Sequence, residues 1–233
     1  MITYLVIGAA GHAQEVAWSL EEQMKVERRE CEFRFFDDAV APGPLASGVG
    51  DVAGTIDAIA EHARRGDVRL VLGIGLPRVK SRLVGRLAPL GLPWVTVIHP
   101  RALVGRNVSI GEGSYVGPGA IVTVNVAIGR FATVNSHCQV AHDGVLGDFV
   151  SLHPDVHLSG NVRVGDGAEL GAGAVVIPGM TVGAWAVVGA GGVVVRPLAG
   201  ERTYVGVPAR ERIGAHARSS AADVLAAISS PRS

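Results

Sequence analysis

The feature that most constrains the fold is a six-residue period that runs through the second half of the chain. An aliphatic residue recurs at every sixth position. Glycine often follows this aliphatic residue, and a small or apolar residue, such as Ala120 or Cys138, often stands two positions before it. A period of six does not fit the 3.6-residue repeat of an α-helix, but it fits a short strand followed by a turn. Val, Ile or Leu occupies every sixth position without a change of phase, at Ile98, Val104, Ile110, Val116, Val122, Ile128, Val134, Val140, Leu146, Leu152, Leu158, Val164, Leu170, Val176, Val182, Val188 and Val194.

Each hexad predicts one short strand and one corner, and three hexads close a triangular coil of 18 residues. The 17 aliphatic positions predict between five and six coils, with the aliphatic residues pointing inward. Glycine relaxes the backbone at the corners. Residues 18 positions apart then stack in successive coils, about 4.8 Å apart. Asp143 is therefore predicted to lie between Asn125 and Asn161.

The first 95 or so residues follow a different rhythm, in which apolar runs alternate with helical patterns. Ile2 to Ile7 and Val68 to Leu72 are predicted strands, and Ala13 to Met24 and Thr55 to Arg64 are predicted helices. Pro77 stands where a first-turn helix proline belongs. Strands separated by helices predict a small parallel sheet.

These patterns divide the chain into an α/β domain over residues 1–95, a β-helix over 96–210 and a C-terminal tail over 211–233. Basic and acidic residues number 21 each, and the resulting zero net charge argues against a nucleic-acid-binding protein. The chain lacks a stretch of about 18 apolar residues and a basic region before its first apolar run. We therefore expect a cytoplasmic protein without a membrane partner.

The repeat resembles the hexapeptide-repeat acyltransferases over about residues 98–208. Around His142 and Asp143 the sequence is similar to the sialic-acid O-acetyltransferase-like enzymes and the nucleotide-amino-sugar N-acetyltransferases, whose catalytic histidine is followed by Asp or Glu. The run Gly206-Val207-Pro208-Ala209 matches the closing Gly-x-Pro-Ala motif of hexapeptide acyltransferases. The resemblance implies a left-handed parallel β-helix, a homotrimer, and acetyl-CoA as co-substrate bound between neighbouring prisms.

The chemistry of acetyl transfer explains why a histidine is needed. An amine or hydroxyl that attacks a thioester must lose a proton, and a histidine near its usual pKa of about 6.5 is suited to accept it. His142 is accordingly predicted as the general base, with Asp143 orienting its ring or stabilising the imidazolium. The five histidines of the repeat are all predicted to lie at corners or outward faces, namely His99, His137, His142, His153 and His157.

A Gly-x-x-Gly loop that follows the first strand and opens a helix leaves backbone N–H groups for a phosphate. The resemblance implies a Rossmann-like N-terminal domain whose nucleotide-sugar contacts are Ala10, Gly11, His12, Asp37, Asp38 and Gly75. It also implies a substrate contact at Asn135. Several relatives have a donor-binding histidine nine residues after the catalytic one, where this chain has Ser151. Acetyl-CoA contacts are then expected at Ser151, Ala172 and Ala190.

The function predicted from these features is acetyl transfer from acetyl-CoA to the amino group of a nucleotide-linked amino sugar, without a metal. Two alternatives stay open. One is a sugar O-acetyltransferase with a sialic-acid-like acceptor, and the other is a non-catalytic trimeric β-helix that serves as a scaffold or binding module. An NAD-dependent oxidoreductase is disfavoured because about 95 residues supply only one mononucleotide-binding half.

Overall fold

The N-terminal part of the chain folds as a small sheet with helices. A computed structural model describes residues 2–65 and 67–212. In the sheet order β3-β4-β2-β1-β5, strands β4, β2, β1 and β5 are parallel, as predicted, and β3 is antiparallel to β4. The elements are β1 (Ile2–Ile7), α1 (Gly11–Glu27), β2 (Cys31–Phe36), β3 (Gly43–Pro44), β4 (Asp51–Gly54), α2 (Ile59–His62), β5 (Val68–Leu72) and α3 (Pro77–Leu87).

The segment predicted as a helix over 55–64 is helical, in three successive short elements without a gap between them. A 3₁₀ turn at Ile56–Ala58 leads into the single turn of α2, and a second 3₁₀ turn follows at Ala63–Arg65. The buried side chains of Ile56 and Ile59 are three residues apart, a spacing that puts both on one side of either a 3₁₀ helix or an α-helix. By contrast, α3 begins at Pro77 as the sequence predicts.

The second part of the chain is a three-faced parallel β-helix built from very short strands, with one strand for each predicted hexad. Face 1 consists of β6 (Val97–Ile98), β9 (Tyr115–Val116), β12 (Thr133–Val134), β15 (Ser151–Leu152), β18 (Glu169–Leu170) and β21 (Val187–Val188). Face 2 consists of β7 (Leu103–Val104), β10 (Ile121–Val122), β13 (Gln139–Val140), β16 (His157–Leu158), β19 (Val175–Val176) and β22 (Val193–Val194). Face 3 consists of β8 (Val108–Ile110), β11 (Val126–Ile128), β14 (Val145–Leu146), β17 (Arg163–Val164) and β20 (Thr181–Val182).

The strands pair at the predicted spacing of 18 residues, as in the series Leu103, Ile121, Gln139 and His157 on face 2. The repeat ends where β23 (Thr203–Val205) pairs with β21 at a spacing of 16 residues and then forms an antiparallel pair with β24 (Arg210–Glu211). Residues 213–233, most of the predicted tail, lie outside the described residues.

The interior of the β-helix is filled by the predicted aliphatic residues, except in its first coil. From Val116 onward the hexad residues are buried, whereas Val104 is exposed and Ile98 and Ile110 are only half-buried. The first coil has no coil before it, so its inward side chains are covered from one direction only.

The N-terminal part covers face 1. Val97 and Tyr115 of that face pack in one apolar cluster with Val16 and Leu20 of α1. His99, one of the histidines predicted at corners or outward faces, is buried because α1 covers it, with its ring 4.9 Å from the ring of Trp18. Within residues 2–65 and 67–212, no helix combines the length and the apolar character that crossing a membrane requires.

Candidate functional site

His142 and Asp143 form a hydrogen-bonded pair at the edge between faces 2 and 3. They follow β13, and Asp143 adopts the left-handed conformation with φ of 59°. Asp and Asn are the residues that tolerate this conformation best after glycine. The left-handed corner allows two neighbouring side chains to meet, and His142 Nδ1 lies 2.8 Å from Asp143 Oδ2.

The electrostatics of this pair favour one tautomer of the histidine. The hydrogen bond with His142, followed by one from Asn125, lowers the pKa of Asp143. An ionised carboxylate only accepts hydrogen bonds, so Nδ1 carries the hydrogen and Nε2 keeps its lone pair. The side chains of His142 and Asp143 are 57% and 45% exposed, so a ligand or a second chain can reach them.

The next coil supports the histidine from the other side. The ring lies directly over Gly160, where a methyl group would overlap Cε1 and Nε2 of the ring. The backbone N–H of Asn161 donates to the carbonyl oxygen of His142 at 2.9 Å. The ring therefore rests on a backbone that has no side chain at the point of contact.

The predicted nucleotide loop lies at the carboxyl ends of β1 and β5, where ligands bind in open parallel sheets. Gly8 has φ of 95°, and a Cβ there would come within 2.8 Å of Ile74. Ala10 precedes the first turn of α1 and makes no side-chain cap, so the N–H groups of that turn are not occupied by a capping side chain. Gly11 is exposed.

His12 stands between this loop and the β-helix. Its ring packs edge-on against Tyr115, with centroids 5.7 Å apart, and a Cβ at Gly75 would contact its Cδ2 at 3.7 Å. Among the described residues, His12 Nε2 is buried without a hydrogen-bond partner. His12 and Gly75 are therefore brought together.

Asp37 and Asp38 are both engaged within the chain. Asp37 Oδ2 accepts from the N–H of Ala9 at 2.9 Å, so this carboxylate shapes the loop before α1. Asp38 accepts from Ile56 N and from Arg86 Nη1 at 2.7 Å, and the hydrogen bond from Arg86 lowers the pKa of Asp38. Arg86 lies on α3, and no motif in the sequence pointed to it.

Ser151, the predicted donor contact, is buried on face 1. Its hydroxyl donates to the carbonyl oxygen of Gly75 at 2.6 Å and so fastens the loop after β5 to the β-helix. Lys80 of α3 makes a second link, because its ammonium donates to Phe131 O, Thr133 Oγ1 and Val150 O at 2.8, 3.2 and 3.0 Å. The amphipathic pattern of α3 gave no signal for a buried lysine.

The remaining predicted residues lie on the edge between faces 1 and 2. Asn135 is half-buried, and its side-chain oxygen accepts from the N–H of Ser136 at 2.7 Å. Ala172 and Ala190 are exposed one coil apart on the same edge. Within one chain this edge and the edge with His142 are separated by face 2. Residues 2–65 and 67–212 contain no group of three or more His, Cys, Asp or Glu side chains placed to hold a metal ion.

Comparison with known proteins gives both family and structural matches. Residues 143–178 match the family described as bacterial transferase hexapeptide (six repeats). Perosamine N-acetyltransferase from Caulobacter crescentus, solved as a histidine-to-asparagine variant with CoA and GDP-perosamine, is 36% identical with a TM-score of 0.81. That match covers 90% of this chain and 96% of that chain. None of the curated proteins matches the chain.

Two further solved structures are similar over nearly their whole length. The acetyltransferase domain of PglB from Neisseria gonorrhoeae, in complex with acetyl coenzyme A, is 31% identical with a TM-score of 0.81; the match covers 90% of this chain and 98% of that chain. WeeI from Acinetobacter baumannii is 28% identical with a TM-score of 0.80, and the match covers 91% of this chain and 100% of that chain.

Proposed function

The chain belongs to the hexapeptide-repeat sugar N-acetyltransferases, and from that premise we propose that it moves an acetyl group from acetyl-CoA to the amino group of a nucleotide-linked amino sugar. The observation that carries this proposal is the His142–Asp143 pair, which lies on a left-handed β-helix of the hexapeptide transferase type. The similar enzyme from Caulobacter crescentus was captured with CoA and GDP-perosamine, and one of its histidines was replaced by asparagine or by alanine in those complexes.

The chemistry assigned to the pair is general-base catalysis. The amine nitrogen attacks the thioester carbonyl carbon, a C–N bond forms and the C–S bond breaks. Nε2 of His142 takes the proton that the amine loses, and CoA leaves as its thiol form after protonation of the sulfur. Asp143 holds Nδ1–H and stabilises the imidazolium while the proton is on the ring.

The acceptor site is proposed at the carboxyl ends of β1, β2 and β5, in a Rossmann-like domain over residues 1–95. The loop of Ala10 and Gly11 offers backbone N–H groups to phosphate, and the ring of His12 lies beside Gly75 in the first turn of α1. Asp37 shapes the loop, and Asp38 presents a carboxylate already paired with Arg86. These contacts support binding of the nucleotide portion.

The reacting atoms are proposed to meet between subunits of a homotrimer. The edge of His142 and the edge of Asn135, Ala172 and Ala190 both border face 2, so a neighbouring chain against this face can bring one edge to the other. Asn135 is then assigned to the acceptor, and the backbones of Ala172 and Ala190 to acetyl-CoA. Ser151 is assigned to holding the Gly75 loop, because its hydroxyl already donates to that loop.

The experiment that tests the function measures thiol release from acetyl-CoA with UDP-, GDP- and dTDP-linked 4-amino sugars and with free sialic acid. Release with one nucleotide amino sugar is expected. Release only with a hydroxyl acceptor would move the assignment to O-acetylation. If an intact oligomer releases no thiol with any acceptor of the panel, the result would contradict the proposal and favour the non-catalytic scaffold.

The same assay tests the general base. His142→Ala is expected to lower kcat by about 100-fold or more, because general-base help contributes about 10²- to 10⁴-fold. Size-exclusion chromatography and circular dichroism are expected to be unchanged, since His142 is exposed. If the variant is folded and keeps near-normal turnover, His142 is not the general base.

A further inference from the structure

A directional chain of side-chain hydrogen bonds runs along the edge between faces 2 and 3 and ends on His142. Asn107, Asn125 and Asp143 are 18 residues apart and share the left-handed conformation, with φ of 55°, 57° and 59°. Asn107 Nδ2 donates to Asn125 Oδ1 at 2.9 Å, and Asn125 Nδ2 donates to Asp143 Oδ1 at 3.1 Å. The other oxygen of Asp143 bonds His142 Nδ1 at 2.8 Å.

The direction of this chain follows from charge. The carboxylate of Asp143 offers only acceptors, so the NH₂ end of Asn125 must face it, because the amide oxygen there would be repelled. The oxygen of Asn125 is thereby turned toward the preceding coil, where the NH₂ group of Asn107 meets it. Each oxygen of Asp143 thus has a different partner: one binds the amide and the other binds the imidazole.

We propose that Asn125 is a positioning residue for acetyl transfer, which holds the carboxylate of Asp143 in the rotamer that orients His142. The inference rests on the proposed function, because it assigns Asn125 a role only through the base of that reaction. Asp143 and His142 are exposed, so without the amide the carboxylate exchanges between water and the ring. Misplacement of a reacting group by about 1 Å can cost up to 10²-fold in rate.

The test compares two substitutions at Asn125 that keep the left-handed backbone accessible. Asn125→Gly removes the amide without straining a positive φ. It is expected to lower kcat by about three- to tenfold with little change in the KM for either substrate. Asn125→Asp keeps the size but places a second negative charge beside Asp143. This charge favours the imidazolium, so the acid limb of the kcat/KM profile is expected to move to higher pH.

Two controls separate positioning from a structural role. Asn107→Gly makes the same backbone change one coil further from His142 and is expected to change kcat less than twofold, with the pH profile unchanged. In an Asp143→Asn background, Asn125→Gly is expected to have no further effect on kcat, because its action passes through that carboxylate.

Failure of the inference is distinguishable from failure of the function. If the wild-type chain releases no thiol with any acceptor, the proposed function is contradicted. If the wild type is active, the inference is overturned by an Asn125→Gly variant with normal kcat and by an Asn125→Asp variant with an unmoved acid limb. The inference is also overturned if Asn107→Gly and Asn125→Gly lose the same share of activity and that loss matches the fraction of each variant that is unfolded.

Discussion

Gly160 shows how one absent side chain determines the position of another. The His142 ring occupies the space where the Cβ of any other residue at position 160 would project. The φ of Gly160 is not in the left-handed region, so the backbone alone does not require glycine there. The requirement comes from the ring, which places this glycine in the functional site.

Gly160→Ala is therefore expected to displace the imidazole and lower kcat by about tenfold or more, with a melting temperature within a few degrees of the wild type. Steady-state thiol release and differential scanning fluorimetry measure the two effects. Gly85→Ala is the matched control, because a Cβ at that helical position meets nothing within 4 Å. Equal kcat values for Gly160→Ala and the wild type would show that turnover does not depend on the position of the His142 ring over Gly160.

At the residue scale, the sequence predicted stacking better than it predicted burial. The period of 18 correctly predicted that Asp143 follows Asn125 in register, and adjacency in the chain made the contact with His142 possible. Gly160 and Lys80 were missed, since the first looks like any corner glycine and the second like any helix-surface lysine. The partners that define both residues come from other coils or from the other part of the chain.

Among the secondary-structure elements, α3 is attached to the β-helix through the hydrogen bonds of a buried lysine. Lys80 is fully buried, and burial lowers its pKa to about 7, although Glu169 acts in the opposite direction. Three acceptors surround the ammonium, so the protonated form is hydrogen-bonded but desolvated. The unfolded chain keeps the proton up to about pH 10.4, the ordinary pKa of lysine.

This difference in pKa predicts how stability depends on pH. Between about pH 7 and pH 10 the unfolded state binds more protons at Lys80 than the folded state. The unfolding free energy contributed by this group therefore rises with pH, with a slope of at most about 1.4 kcal/mol per unit. Thermal melts from pH 6.5 to 9 should show this rise for the wild type and lose it in Lys80→Met. Lys25→Met, at an exposed lysine of α1, should keep the wild-type slope, and an identical slope in Lys80→Met would contradict the prediction.

Element prediction succeeded where the repeat alone decides the structure. Every hexad from Ile98 to Val194 forms a strand, because the inward aliphatic residue and the corner repeat at a fixed interval. The helix over 55–64 was predicted from a pattern that a succession of short turns also satisfies. The burial of His99 was not predicted, because periodicity describes one prism and carries no information about the α1 helix that covers it.

At the scale of the whole molecule, face 2 has an apolar end that the single chain leaves uncovered. Leu103 and Ile121 point outward on neighbouring strands of this face and are 65% and 39% exposed. Val124, beside Asn125 on the adjoining edge, is also exposed. Contiguous exposed apolar residues are typical of protein interfaces. The patch adjoins the His142 edge, which supports the proposal that the site lies between subunits.

Ile121→Asp is expected to shift the protein from trimer to monomer and to abolish most thiol release, while the spectrum of the folded chain is retained. Light scattering coupled to size exclusion measures the mass. Ser109→Asp is the matched control, because Ser109 is exposed on face 3 of the first coil. If Ile121→Asp remains a fully active trimer, the interface between subunits does not include Ile121.

The arrangement of the two parts of the molecule could not be read from the sequence. The links between them, Ser151 to Gly75 and Lys80 to Phe131, join residues 76 and 51 positions apart that follow unrelated patterns. The resemblance pointed to Ser151 as a donor contact, but nothing in the sequence predicted the hydrogen bond from its hydroxyl to the Gly75 loop. Periodicity and short motifs report local structure, and this contact is not local.

The fixed 18-residue register also limits how a protein of this kind can change length during evolution. Removal or duplication of one whole coil keeps every aliphatic residue in phase, so the interior survives as a shorter or longer prism. The removal or duplication of one coil also moves all residues beyond that coil by about 4.8 Å along the axis. An insertion of one or two hexads keeps the aliphatic residues inward but moves every following residue to another face, and an insertion that is not a multiple of six turns aliphatic side chains toward water. Descendants of this chain can therefore vary in length in units of one turn, and a change of one turn between His142 and Ala172 alters the spacing between the two edges of the site.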